Sequence, residues 1–232
     1  IGARALEPAE FVKIGLILII AKKLEEMTCN INNLRNFSKL CLYAFIPILL
    51  IIIQPNLGMA LIYIFIVVCI FFIADLHLKA MIIGAVSAVP LGMIIWFSGI
   101  LKPYQKQRIT SFINPEMYQQ GTSFQLTQSI IGIGSGGLKG SGFLKGLQVS
   151  GGYIPEIHTD FIFSVIGEEW GLIGAVVLLL AYVILICRII RSAKESKDFL
   201  GRFICIGVAA SLIFSVFQNI GMTIGIMPIS GI

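Results

Sequence analysis

The sequence predicts an all-α fold: a polytopic membrane bundle of about six spans, carrying a long and partly helical outer loop. Three observations predict it. Hydrophobic residues make up 57% of the chain and charged residues only 12%, with a mean hydropathy of +0.94. A soluble domain of this size has no use for so much apolar surface. The apolar residues gather into runs near the roughly 20 residues a spanning helix needs. Lys and Arg gather between those runs, where they set orientation. The chain opens on Ile1 rather than Met and stops at Ile232, so it is expected to be a fragment of a longer protein, with 1–232 forming a single membrane domain.

Six spans are predicted, at about 8–22, 40–54, 58–74, 80–101, 161–187 and 200–222. Pro47 and Pro90 fall inside spans, which membrane helices tolerate where neighbours satisfy the freed carbonyls. Loop 22–39 carries Lys22, Lys23, Arg35 and Lys39. Loop 188–202 carries Arg188, Arg191, Lys194, Lys197 and Arg202. These loops, and by parity the turn at 75–79, are therefore assigned to the cytoplasm. The 54–58 turn and segment 102–160 then face outward.

A structureless loop of that length is unusual and points to function. Its recurring Ile, Leu and Phe residues give it material to fold back on the membrane domain. Within it, 122–135 reads as a short amphipathic or re-entrant helix, followed by glycine-rich turns through Gly152.

The glycine run from Gly132 to Gly137 formally fits GxGxxG, but spans surround it where a dinucleotide fold would need a βαβ unit. Either the glycines let backbone turn tightly, or their bare amides join Lys139 and Lys145 as an anion nest for phosphate. The nest is the reading preferred on sequence.

Glu10 and Lys13 stand three apart and share a helix face. An ion pair inside an apolar span faces protein or a water-filled cavity, unless it snorkels to the interface. Lys102, Lys106 and Arg108 beside Tyr104 read as an interfacial anchor or as a site for an anionic lipid headgroup. Trp96 and Trp170 read as belt residues.

The stretch 152–174 concentrates Glu156, His158, Asp160, Glu168 and Glu169 at the mouth of an apolar run. Ionisable groups are costly at membrane depth, so such a cluster marks a functional site by default. The alternative is that the acids are helix caps and interfacial anchors. Asp160 precedes the apolar run, where a helix N-terminus favours a carboxylate. His158 reads as a hydrogen-bonding partner of the acids rather than a metal ligand. Five scattered cysteines without CxxC spacing imply neither disulfides nor a metal site. The net charge of +5 sits in loops and does not suggest nucleic acid.

Several stretches together resemble one family, the SEDS proteins (RodA, FtsW, SpoVE). They are Glu7-Pro-Ala-Glu10-Phe-Val-Lys13, Gln54-Pro-Asn-Leu-Gly58, and Tyr104-Gln-Lys-Gln-Arg108-Ile through Asn114-Pro115. They continue with Gln128-Ser-Ile-Ile-Gly-Ile-Gly-Ser-Gly-Gly137 and Gly142-Phe-Leu-Lys-Gly146. The most specific are Pro155-Glu-Ile-His-Thr-Asp160-Phe-Ile-Phe and Gly167-Glu-Glu-Trp-Gly171. The outer loop looks more like the RodA branch. Glu7 and Ala9 depart from the family's usual Gln and Ser, Asn56 from its common Asp, and Met59 from a common Thr. Asn56 removes a charge from the outer turn.

The resemblance implies that this chain is roughly the fourth to the ninth of about ten spans. It implies an inverting glycosyltransferase in the bacterial cytoplasmic membrane. That enzyme polymerises lipid II into glycan strands at the outer face, for cell elongation and shape. Asp160 matches the family's catalytic Asp and would be the general base. Lys13 (oriented by Glu10), Arg108 and Lys139 would meet the phosphates, while Glu156 and His158 would shape the base. Glu10, Lys13 and Asp160 are expected to converge on one outward cavity. The implied partner is a class B penicillin-binding protein. No organic cofactor is implied, and a divalent metal stays open. Competing readings are a lipid II flippase or transporter, a scaffold that recruits the synthase, and the division or sporulation branch.

Overall fold

A computed structural model of the chain describes residues 7–28, 30–54, 56–99, Lys106, Thr110, Phe112, 122–154, Ile157 and 159–229. Lys102, Tyr104, Arg108, Glu156 and His158 lie outside the described residues. Every regular element among those described is a helix, and six helices stand where six spans are predicted. They are α1 (Pro8–Glu26), α2 (Leu34–Ile53), α3 (Leu57–Ile73), α4 (Leu78–Phe97), α7 (Ile162–Glu195) and α8 (Phe199–Thr223). Between α4 and α7 lie α5 (Thr122–Gly136) and the single turn α6 (Leu147–Ser150). The helix predicted over 122–135 is therefore found, one residue longer.

Among the described residues three helices are long and apolar enough to cross a membrane: α2, α7 and α8. The 17 residues of α3 rise about 25 Å at 1.5 Å each, a little short of a typical hydrocarbon core. Large apolar side chains stay exposed along these helices, among them Ile83, Val86, Ile94, Val177 and Ile184. Lipid tails would solvate such faces as well as a protein core does.

The chain divides into two compact units. The first comprises 1–91 and 186–214. Here α1, α2 and α3 pack on one another around Leu16, Ile20, Leu24, Leu40, Ile62 and Ile66, all nearly sealed from solvent. Helix starts follow local chemistry. Pro8 occupies the first position of α1, where its missing N–H costs nothing. Asn33 accepts from Arg35 N to cap α2, and Asn56 accepts from Met59 N to cap α3. Asn and Asp cap helices about equally well, so Asn56 performs this task without the family's charge. Asn32 ties the turn before α2 to the turn before α4, donating to Asp75 O and accepting from His77 N.

The second unit comprises 92–185 and 215–232. The predicted span 161–187 differs here from the structure. The 34 residues of α7 would rise about 51 Å as one rod, but Gly171 breaks it with φ 63° and ψ −162°. That backbone region is essentially restricted to glycine. Nine residues, 162–170, form a separate first segment, and the 24 from Leu172 onward rise about 36 Å, a spanning length.

A helix break frees backbone groups that need partners, and the glycine turn after α5 supplies them. Ser141 N and Gly142 N donate to Glu168 O and Glu169 O, at 2.9 and 3.0 Å. In return Leu172 N and Ile173 N donate to Gly137 O and Leu138 O, at 2.9 and 3.2 Å. Close pairs ascend together, Ser129 with Ser164 and Ile133 with Gly167, so α5 and the first segment of α7 run in the same direction. The approach needs glycine: a methyl on Gly136 would fall 2.0 Å from Gly167 O.

Two outcomes follow for the full-length protein. Gly171→Ala puts a methyl 2.4 Å from Gly140 N on a left-handed backbone. It should lower the melting temperature in detergent, at a strain cost of at least about 1–3 kcal/mol. Gly134→Ala meets nothing within 4 Å inside α5 and should hold or raise it, since Ala is favoured over Gly in helices by about 1 kcal/mol. For topology, a cysteine at exposed Lys145 should react with an impermeant reagent from outside, and one at exposed Lys197 should not. The reverse pattern would invert the bundle.

Candidate functional site

Apolar positions 154, 157 and 161 alternate with polar ones through the turn that precedes α7. Ile154, Ile157 and Phe161 are buried with Ile229, and Leu126, Val149 and Val165 pack against them. This plug holds the chain on either side of Asp160, which is left partly exposed beside exposed Thr159. Glu156 and His158, the expected companions of the base, lie outside the described residues.

The backbone of Asp160 is held from α8. Asn219 donates its side-chain amide to Asp160 O at 3.1 Å. One helical turn further along both elements lies a second polar rung. Ser129 of α5 donates its hydroxyl to Thr223 O at 2.7 Å and is hydrogen-bonded to the Ser164 hydroxyl. Ser129 has only one proton to give, so Ser164 is the donor in the serine pair. Both hydroxyls are buried, where an unpaired polar group would cost stability.

Glu168 is a cap. Its carboxylate is buried and accepts from Gln148 N at 2.8 Å and Val149 N at 3.1 Å, placing negative charge at the start of α6. Gly146 makes room, since a Cβ there would sit 2.7 Å from Glu168 Cδ. Of the two sequence readings for the acids, the structural one holds for Glu168.

The phosphate nest at the glycine run is not available. Gly132, Gly134 and Gly136 lie inside α5, whose ladder uses their amides, and the amides of Gly137, Gly140, Ser141 and Gly142 already donate to the carbonyls of Gly134, Gly136, Glu168 and Glu169. Bonding to a broken helix uses the same groups that a nest would offer. Lys139 is exposed and lines an apolar groove of about 770 Å³ with Glu169, Phe143, Trp170 and residues of α7 down to Ala181. Glu169 stands nine residues beyond Asp160, about 13 Å along a helix. Trp170, exposed at the head of this groove, and Trp96, over whose ring Lys106 Nζ lies at 5.7 Å, both suit an interfacial level.

In the first unit Lys13 Nζ donates to Glu10 Oε2 at 2.7 Å. The Lys13 side chain is 13% exposed and that of Glu10 48%. Tyr63 of α3, fully buried, donates its hydroxyl to Ala9 O and holds the first turn of α1 beside that pair. Arg108 lies outside the described residues. Among the described residues, no three His, Cys, Asp or Glu side chains gather closely enough to hold a metal.

Asn219 and Tyr63 escape a reading that weighs only charges. Their signal is present nonetheless, as an amide and a phenol inside otherwise apolar runs, and membrane helices use such groups across helix contacts.

Removal of the Glu168 cap can be read directly. Glu168→Ala strands two amides that were bonded to a charged group, and each such bond contributes about 1.5–3 kcal/mol. A lower melting temperature and faster proteolysis near residue 147 are the expected results. Unchanged stability would refute the capping role.

The family profile of the FtsW, RodA and SpoVE cell cycle proteins matches residues 1–232. Over its full length the chain is 34% identical to the peptidoglycan glycosyltransferase MrdB of Escherichia coli K12, of which it covers 62%. It is 36% identical to the probable peptidoglycan glycosyltransferase FtsW of Coxiella burnetii, again covering 62%. A solved structure describing structural coordination of polymerization and crosslinking by a peptidoglycan synthase complex superposes with a TM-score of 0.79. That match is 33% identical and takes in all of this chain and 63% of the other. The chain thus spans about three fifths of the length of the relatives it matches.

Proposed function

The chain belongs to the FtsW–RodA–SpoVE family of membrane proteins, and from that membership and the geometry at Asp160 we propose that it forms the catalytic part of a peptidoglycan glycosyltransferase. The single observation that carries the reading is the placement of Asp160. Asp160 lies just ahead of a helix, a partly exposed residue on backbone clamped by buried Ile157 and Phe161 and bonded by Asn219.

The reaction joins the 4-hydroxyl of an acceptor sugar to the anomeric carbon of a donor carried on undecaprenyl pyrophosphate, as in lipid II. Asp160 takes the hydroxyl proton as the new C–O bond forms. The anomeric C–O bond to the pyrophosphate breaks, and the leaving group departs with its electron pair. One displacement inverts the α-linked donor to a β-linked product. A positioned base contributes about 10²–10⁴-fold to such a step. Cations stabilise the charge gathering on the pyrophosphate, and Lys13, Arg108 and Lys139 are assigned to that task. Glu10 orients Lys13 through the 2.7 Å ion pair. Glu156 and His158, two and four residues before Asp160, are assigned to shaping the base.

The setting is the outer face of the bacterial cytoplasmic membrane. The partner is a class B penicillin-binding protein that cross-links the new strand. The likeness to a chain from a peptidoglycan synthase complex supports this assignment. A role in elongation is favoured by the wording of the outer loop. The near-equal identities to MrdB and FtsW are what a division role would equally produce.

The test is Asp160→Asn in the full-length protein, purified away from other synthases and supplied with lipid II. Polymer should fall by about 10²–10⁴-fold, the worth of a general base, while folding and lipid II binding persist. Asn keeps the shape of Asp but not the basicity. Near-normal polymer from this variant would remove Asp160 from the mechanism. Polymer absent from the wild type, with lipid II moved across the bilayer instead, would favour a transporter.

A further inference from the structure

We propose that Asn219 is a positioning residue for Asp160, fixing the backbone turn that aims the carboxylate at the acceptor hydroxyl. The inference rests on Asp160 acting as the base. Asp160 lies in the turn 159–161, ahead of the first helical residue of α7, so the helix ladder alone does not hold it. In a helix continued backward, Ser164 N would reach Asp160 O; here it donates to Phe161 O at 3.0 Å. The Asp160 carbonyl receives the Asn219 amide, from a residue 59 positions away.

A hydrogen bond to the carbonyl alone acts as a pivot about that oxygen. The Ser164–Ser129–Thr223 rung lies one turn further along both helices and removes that freedom. Buried Phe161 and Ile157 close the remaining directions. Asp160 itself stays partly exposed on this fixed turn. Asn219 also needs a reason to exist, because a carboxamide in an apolar helix is costly at membrane depth unless it is bonded.

General-base geometry tolerates little error, and a misplacement of about 1 Å can cost on the order of 100-fold. In full-length protein assayed with lipid II and normalised to folded enzyme, Asn219→Ala should therefore lower kcat by roughly 10- to 100-fold with KM unchanged. Asn219→Gln keeps an amide donor and should recover part of that loss. Asn219→Asp is isosteric but points an acceptor at a carbonyl, so it should be at least as slow as Asn219→Ala. It carries the same test should the alanine variant fail to fold.

The decisive readout is coupling. Introduced into Asp160→Asn, Asn219→Ala should produce no further loss, because there is no base left to aim. Equal losses in both backgrounds, or a wild-type kcat for Asn219→Ala and Asn219→Asp, would overturn the positioning role. If Asp160→Asn itself polymerises at the wild-type rate, it is the assignment of the base that fails, whatever Asn219 does.

Discussion

The break at Gly171 must be satisfied by protein, because the glycine turn packed against it leaves those backbone groups no other partner. A chain that leaves helical geometry frees carbonyls behind the break and amides ahead of it, each costly if buried bare. The turn at 137–142 meets both sets, giving amides to Glu168 O and Glu169 O and carbonyls to Leu172 N and Ile173 N. Much of the second unit can be traced to that exchange. It holds α5 beside the first segment of α7 and sets where the spanning part of α7 begins. It also brings Gly146 near enough for Glu168 to cap α6. The glycines serve this contact. Gly140 at φ 78° would place a methyl 2.1 Å from Glu169 O, and no other residue could stand there.

The same frame fixes the backbone at Asp160. With its end fixed by the exchange, the first segment of α7 presents its start to α8, where two polar rungs four residues apart receive it. Catalysis by a general base depends on the base being held at hydrogen-bond distance from its target. A turn residue gains that only from tertiary contacts. The acids of the 152–174 cluster thus divide by environment. Glu168 is consumed by backbone amides, Glu169 is buried in the wall of a groove, and Asp160 is left partly open.

The first unit shows how a departure from family wording can be absorbed. Asn56 replaces a common Asp in the turn before α3, yet its side chain accepts from Met59 N as an Asp would. The physical task there is to accept a hydrogen bond, and a neutral amide oxygen performs it. At α1 the Glu10–Lys13 pair forms along one helix face, and Tyr63 locks the turn beneath it from α3.

By itself the sequence determined what depends on composition and short-range pattern. Six helices lie where the apolar runs lie, a helix starts at Thr122, and Glu10 pairs with Lys13, since hydrophobic length and i,i+3 spacing are local quantities. It also singled out Asp160 as an acid at the head of an apolar run. It could not show that α7 is two segments, because Trp170-Gly-Leu172 reads as uninterrupted apolar chain and one glycine does not announce its φ. Nor could it decide between turn and nest at Gly132–Gly137. Only the structure shows that Gly132, Gly134 and Gly136 lie inside α5 and that the amides just beyond them are taken, Ser141 N by Glu168 O 27 residues away. The tie from Asn219 to Asp160 was equally out of reach. Hydrogen bonds between distant segments depend on how helices pack, and packing is decided by the whole fold rather than by any window of sequence.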